Sequence, residues 1–108
     1  IAVMTWGGSK GPTREAYDIL MNQGQRAAWY YTMQLNPMSP KLLDELRGKD
    51  LVIVPELNYL GQLASVLRSK GIRAEALTQY TGTPFKVKDL VSRITDRITA
   101  RQKELVKA

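Results

Sequence analysis

Four short β-forming runs alternate with four longer stretches of helical period, and this alternation restricts the chain more than any other feature of it. Ile1–Trp6 ends at Gly7-Gly8, Arg26–Thr32 is dense in aromatics, and Leu51–Val54 is continuously apolar. Ile72–Tyr80 alternates instead, with Ile72, Ala74 and Ala76 on one face and Arg73 and Glu75 on the other. Between the runs, Gly11-Pro12 opens a helix that Gly24 stops, its apolar side drawn from Ala16 or Tyr17, Ile19, Leu20 and Met21. Ser39-Pro40 opens a short helix that buries Leu42, Leu43 and Leu46 and ends at Gly48. Asn58 caps a third helix with apolar positions Leu60, Leu63, Ala64 and Leu67, which Gly71 stops. The last helix runs over 86–106, with Val87, Leu90, Val91, Ile94 and Ile98 at helical spacing. A βαβαβαβα order calls for an α/β fold: a three-layer α/β/α domain with a mainly parallel sheet of about four strands. Leu51–Val54 reads as a central strand covered on both faces, and Ile72–Tyr80 as an edge strand with one wet face.

A chain of 108 residues with 44% apolar side chains can bury one core, so residues 1–108 read as a single domain. No run approaches the ~18 apolar residues of a membrane span. Ile1–Trp6 lacks the basic flank and cleavage site of a signal peptide, which makes the cytoplasm the expected compartment. The chain begins on a strand without an initiator Met, as a domain cut from a longer protein would. It holds neither Cys nor His. Disulfides, Cys/His zinc sites, cysteine-held iron–sulfur clusters and Ser-His-Asp or Cys-His catalysis are therefore excluded for these residues. Carboxylate, Lys and Tyr chemistry stays open.

The net charge of +6 is uneven: +1 over residues 1–54 and +5 over 55–108. The basic amphipathic helix of 86–108 holds seven basic and three acidic residues, with Arg93, Arg97 and Arg101 in a stripe at i, i+4, i+8. Such a stripe could grip phosphates, form ion pairs at an interface or be a solvated face. Its last two turns, poor in apolar positions, are expected to project from the body or rest on a neighbouring subunit. Gly7-Gly8-Ser9-Lys10-Gly11-Pro12 fits neither phosphate-loop pattern, since Lys10 precedes Gly11 and Ser9 and Pro12 stand where a dinucleotide loop has glycine. A tight strand-to-helix turn is the simpler reading, although a helix N-terminus near Ser9 attracts anions. Glu56, Asn58 and Gln62 follow the central strand, at the end of the sheet where ligands gather in open α/β folds. They read either as a site or as a cap and local network fixing the loop. Trp29, Tyr30 and Tyr31 cannot form one stacking platform, because neighbours on a strand point to opposite faces.

Four loops occur together in order: Thr5-Trp6-Gly7-Gly8-Ser9-Lys10-Gly11-Pro12, Leu35-Asn36-Pro37, Glu56-Leu57-Asn58-Tyr59-Leu60-Gly61-Gln62-Leu63 and Tyr80-Thr81-Gly82-Thr83-Pro84-Phe85. With them the chain resembles, over nearly its whole length, the C-terminal domain of the α subunit of 2-oxoacid:ferredoxin oxidoreductases, which has a transketolase C-terminal-like fold. Gly8 stands where the family has Ser, and Thr83 where Arg is common. The resemblance implies an additional antiparallel strand before Ile1. It also implies an enzyme that decarboxylates a 2-oxoacid oxidatively, passes the acyl group to coenzyme A and reduces ferredoxin. Thiamine diphosphate, magnesium and the iron–sulfur clusters are expected elsewhere in that complex, and none in this fragment. The implied partners are the remainder of the α subunit, a thiamine-binding β subunit and, for the whole complex, ferredoxin, with no membrane or nucleic acid. The resemblance implies an architectural role with no catalytic residue, so Ser9, Glu56, Asn58 and Gln62 are expected as ligand- or interface-facing positions only. The alternative from a different class is a free-standing α/β module whose basic C-terminal helix binds nucleic acid or another polyanion.

Overall fold

The computed structural model describes residues 1–6, 10–25, 27–32, 39–56, 62–78 and 85–107. Four strands, β1 (Ala2–Trp6), β2 (Ala28–Thr32), β3 (Val52–Glu56) and β4 (Ala74–Thr78), alternate with four helices. The helices are α1 (Lys10–Asn22), α2 (Pro40–Arg47), α3 (Gln62–Ser69) and α4 (Val87–Lys107). One sheet results, in the order β2-β1-β3-β4, and every recorded pairing is parallel. The α/β class and the four-stranded parallel sheet are as expected.

Period-two alternation divides the strand residues between two cores. Ala2, Met4, Val52, Val54 and Ala74 point to one face, where Leu46 of α2 and Leu63, Ala64 and Leu67 of α3 cover them. Val3, Ile53 and Leu77 point to the other, under Ala16 and Leu20 of α1 and Leu90, Ile94 and Ile98 of α4. The three layers are thus α2/α3, sheet and α1/α4. Ala2–Thr5 of β1 are buried, and so are all five residues of β3.

Local signals act as read at α2, where Ser39 Oγ accepts from Leu42 N at 3.5 Å and Pro40 opens the helix. Gly71 sits at φ +82°, the left-handed conformation that lets the chain leave α3 and enter β4 without a Cβ clash. Three details differ from expectation. Ile19 is 39% exposed, whereas Ala16 and Leu20 of the same helix are fully buried. β3 continues past Val54 through Pro55 to Glu56. On the second face of β4, Arg73 and Glu75 are exposed as expected, but Leu77 is buried beneath α4. Arg101 Nε, where the last two turns of α4 begin, approaches Asp50 Oδ2 at 3.6 Å.

Candidate functional site

Pro55 limits the backbone pairing between β1 and β3. Val52 N donates to Arg73 O, so Val52 turns its backbone toward β4, and alternation turns Ile53 and Pro55 toward β1. Proline has no N–H to give there. Among the described residues the β1–β3 ladder covers Ala2↔Val52 and Val3↔Ile53, whereas β1–β2 and β3–β4 pair over five positions each. The strand order reverses between β1 and β3, and the carboxyl ends of strands at such a reversal are where ligand crevices form in open α/β sheets.

Glu56, the last residue of β3, stands at this end of the sheet and is 1% exposed. Its Oε1 accepts from Leu63 N at 2.6 Å and its Oε2 from Ala64 N at 3.2 Å. The carboxylate thus satisfies two orphan donors in the first turn of α3 and meets the positive end of that helix. This is the cap-and-network arrangement, with the carboxylate supplied by the strand rather than by the loop. Gln62 opens the same helix. Ser9 and Asn58, expected beside them, lie outside the described residues. Helix α1 carries no acidic residue in its first turn. Thr5 on β1 and Thr13 on α1 are fully buried, their hydroxyls without hydrogen-bond partners among the described residues. No helix or strand pattern marks these threonines as special, and sequence reasoning passed over them.

The arginine stripe is engaged within the molecule. Arg93 Nη1 donates to Thr78 O at 3.2 Å, and Arg97 holds Glu75 through two bonds of 2.6 and 2.8 Å. Arg101 donates to Glu104 at 3.0 Å and faces Asp50. These contacts join α4 to β4 and to the amino end of β3, leaving less of the stripe for phosphates. Asp50 also accepts from the Ile1 ammonium at 3.0 Å. Burial pushes the Asp50 carboxyl up, but the hydrogen bond and charge of Ile1, its own backbone and the charge of Arg101 together hold it below the ordinary aspartate range. A groove of about 480 Å³ runs past Asp50, Arg68, Arg73, Glu75 and Arg101 at the amino end of the sheet, its positive and negative side chains largely cancelling.

A second cluster forms where α1 crosses β2. Trp29 and Tyr31 share a face and stack, with centroids 6.2 Å apart and planes at 11°. Tyr17 lies 6.4 Å from Trp29, and the Arg14 guanidinium sits 4.9 Å over Trp29 and 5.6 Å over Tyr17. Tyr30 takes the opposite face, as strand alternation requires. Arg14 and Tyr17 were not singled out from the sequence, although their i, i+3 spacing puts them on one side of α1.

No group of three or more His, Cys, Asp or Glu able to hold a metal ion occurs among the described residues. No helix among them is long and apolar enough to cross a membrane. No protein-family model matches the chain. Individual proteins do. The KorA subunit of 2-oxoglutarate oxidoreductase from Mycobacterium tuberculosis is 34% identical over 106 residues, 97% of this chain and 16% of that protein. The α subunit of 2-oxoacid:ferredoxin oxidoreductase 2 from Aeropyrum pernix is also 34% identical, over 89% of this chain and 16% of that protein. Among solved structures, 2-oxoglutarate:ferredoxin oxidoreductase from Magnetococcus marinus, with 2-oxoglutarate, coenzyme A and succinyl-CoA bound, superposes with a TM-score of 0.82. It is 32% identical, and the match covers 90% of this chain and 17% of that one. The chain therefore spans about one sixth of the length of the relatives it matches.

Proposed function

We infer that the chain is one domain, the C-terminal one, of the α subunit of a 2-oxoacid:ferredoxin oxidoreductase, and that it serves assembly and active-site architecture rather than chemistry. The observation that carries this reading is agreement on two levels over nearly the whole chain. Sequence identity reaches 34% with α subunits, and the backbone superposes at a TM-score of 0.82 on a 2-oxoglutarate:ferredoxin oxidoreductase. The enzyme as a whole would oxidise a 2-oxoacid to its acyl-CoA while reducing ferredoxin, in the cytoplasm.

The chemistry of an iron–sulfur cluster is not available to these residues, and the described carboxylates offer no metal cluster. Without cysteine the chain has no thiolate for an iron–sulfur cluster. Its one buried carboxylate among the described residues, Glu56, is committed to the first turn of α3. Thiamine diphosphate, magnesium and the clusters belong, on this reading, to the remainder of the α subunit, a β subunit or other chains. What this domain contributes is a sheet whose carboxyl end, braced by Glu56, presents loops toward neighbouring parts of the enzyme.

Intact-mass measurement and peptide mapping of the native protein test the reading. The expected result is an α subunit several times longer than 108 residues that copurifies with a thiamine-binding β subunit and supports 2-oxoacid-dependent ferredoxin reduction. A native protein of about this length, with no β subunit attached, would overturn it.

A further inference from the structure

We propose that the corner formed by β2 and α1, built from Arg14, Tyr17, Trp29 and Tyr31, is the surface on which another domain of the same α subunit docks. The proposal rests on the assembly reading above and names the face that the assembly uses. Three observations support it.

First, β2 (Ala28–Thr32) contains no charged residue, although it is an outer strand of the sheet. Natural outer strands are ordinarily guarded by charge, proline or a covering element, because an open strand invites pairing with foreign chains. Second, Ala28, Trp29, Tyr30 and Tyr31 are all half-buried, while the inner strands are buried almost throughout. Helix α1 covers part of one face. On the other, α2 supplies Leu46 as its fully buried side chain, with Leu42 and Leu43 only partly so. Third, the residues concerned are Trp, Tyr and Arg, the side chains that dominate binding energy at the centres of protein interfaces.

The occupant follows from length and charge. About five sixths of the relatives' length lies outside this chain, so the nearest large surface available is the rest of the subunit, held by the covalent connection at high effective concentration. Arg14 has an exposed side chain, 3.5 Å from Asp18 and lying over two rings, so the facing surface should be apolar with an acidic group at the Arg14 position.

Hydrogen exchange on the native enzyme complex tests this. Ala28 N donates to Ile1 O, so alternation turns the Trp29 N–H away from β1, to the outer side of the sheet, where a docked neighbour would shield it. Peptide 27–32 should exchange at least as slowly as peptide 74–78 from β4, which serves as the internal reference. Arg14→Glu in the full-length subunit should speed exchange of 27–32 by roughly tenfold while leaving 74–78 unchanged. Fast exchange of 27–32 in the wild-type complex, or no response to Arg14→Glu, would overturn the proposal. So would protection lost on dilution to single α subunits, which would make a second copy the occupant. The two readings fail separately. A long α subunit with fast-exchanging 27–32 removes only this docking face, whereas a native chain of about 108 residues removes the assembly reading as well.

Discussion

At the β4 side of the sheet, every exposed feature is answered by an arginine. Arg68 Nη1 donates to Ala74 O at 3.1 Å, Arg93 Nη1 to Thr78 O at 3.2 Å, and Arg97 forks onto Glu75. Two backbone acceptors that another strand could use are thereby occupied, and guanidinium groups line the approach. At the β2 side there is Ala-Trp-Tyr-Tyr-Thr, without charge, and a single arginine, Arg14, laid over aromatic faces. The first side is finished for water. The second is half-finished, and on the docking proposal above this is the face turned to a neighbouring domain. Three of the ten Lys and Arg residues of 55–108, namely Arg68, Arg93 and Arg97, are engaged at the β4 side, which leaves less of that charge for a polyanion.

The largest test of this contrast is to truncate a large side chain on each side and compare the losses. Leu77→Ala or Ile94→Ala, at the buried seam between β4 and α4, should cost about 2–4 kcal/mol in denaturant unfolding. Tyr31→Ala, on the half-buried β2, should cost the 108-residue chain clearly less, with a further loss appearing in the full-length subunit. Equal losses in the isolated chain would mean that β2 is already a finished part of the core.

Next in size is the brace at the carboxyl end of β3. Glu56→Gln keeps one acceptor but leaves a buried N–H of α3 without its anionic partner, a change expected to cost about 1–3 kcal/mol. Exchange of the Leu63 and Ala64 amides should quicken, with the effect spreading through α3 into β4 and leaving β2 unmoved. An equal response in β2 would show that the two sides are coupled through the sheet, and the comparison would lose its meaning.

A smaller effect is expected with pH. In the 108-residue chain, where the amino group of Ile1 is a free ammonium, the folded-state pKa of Asp50 is depressed, so its contribution is fully present above the unfolded-state value and is lost as pH falls through the lower folded value. Since Asp50 there ties the start of β1 to Arg101 of α4, acid titration of this chain should loosen the β4/α4 side first. Asp50→Asn should flatten the acid limb of the stability curve in that interval, below the ordinary aspartate range. An unchanged limb would exclude Asp50 as the group responsible.

How much of this was legible beforehand depends on where the information lies. Element order, Ser39-Pro40 at the start of α2 and Gly71 after α3 are local signals, and the structure uses them as read. The sheet class followed from alternation alone. The wet face of β4 holds at Arg73 and Glu75 but ends at Leu77, because α4 returns from later in the chain to cover that residue. Glu56 was found as a candidate from its place after the central strand. Its actual work depended on which backbone N–H groups would stand above it, and no sequence spacing states that. The division between Trp29/Tyr31 and Tyr30 was legible from strand periodicity, but the covering of that pair by Arg14 and Tyr17 required knowing that α1 crosses β2 on that face. Ser9 and Asn58 fall outside the described residues and keep the standing they had as expectations.

The smallest expected change in stability gives the most direct test of what the arginines at β4 are for. Arg68→Ala with Arg93→Ala removes two partly exposed side-chain bonds, worth together on the order of 1 kcal/mol, because water replaces the lost donors. The fold should survive, with Glu75 still held by Arg97 and Leu77 still covered. What should change is association. The carbonyls of Ala74 and Thr78 become available to a strand from another molecule, and the positive charge that repelled such an approach is gone. Sedimentation of the 108-residue variant should then show concentration-dependent self-association beyond that of the parent, and Tyr30→Lys on β2 should lower whatever association the parent has. If the double variant stays as the parent was, the arginines at β4 are ordinary surface contacts and charge is not what distinguishes the two sides. The distinction would then rest on burial alone, on the rings of β2 that α1 and α2 leave half-covered.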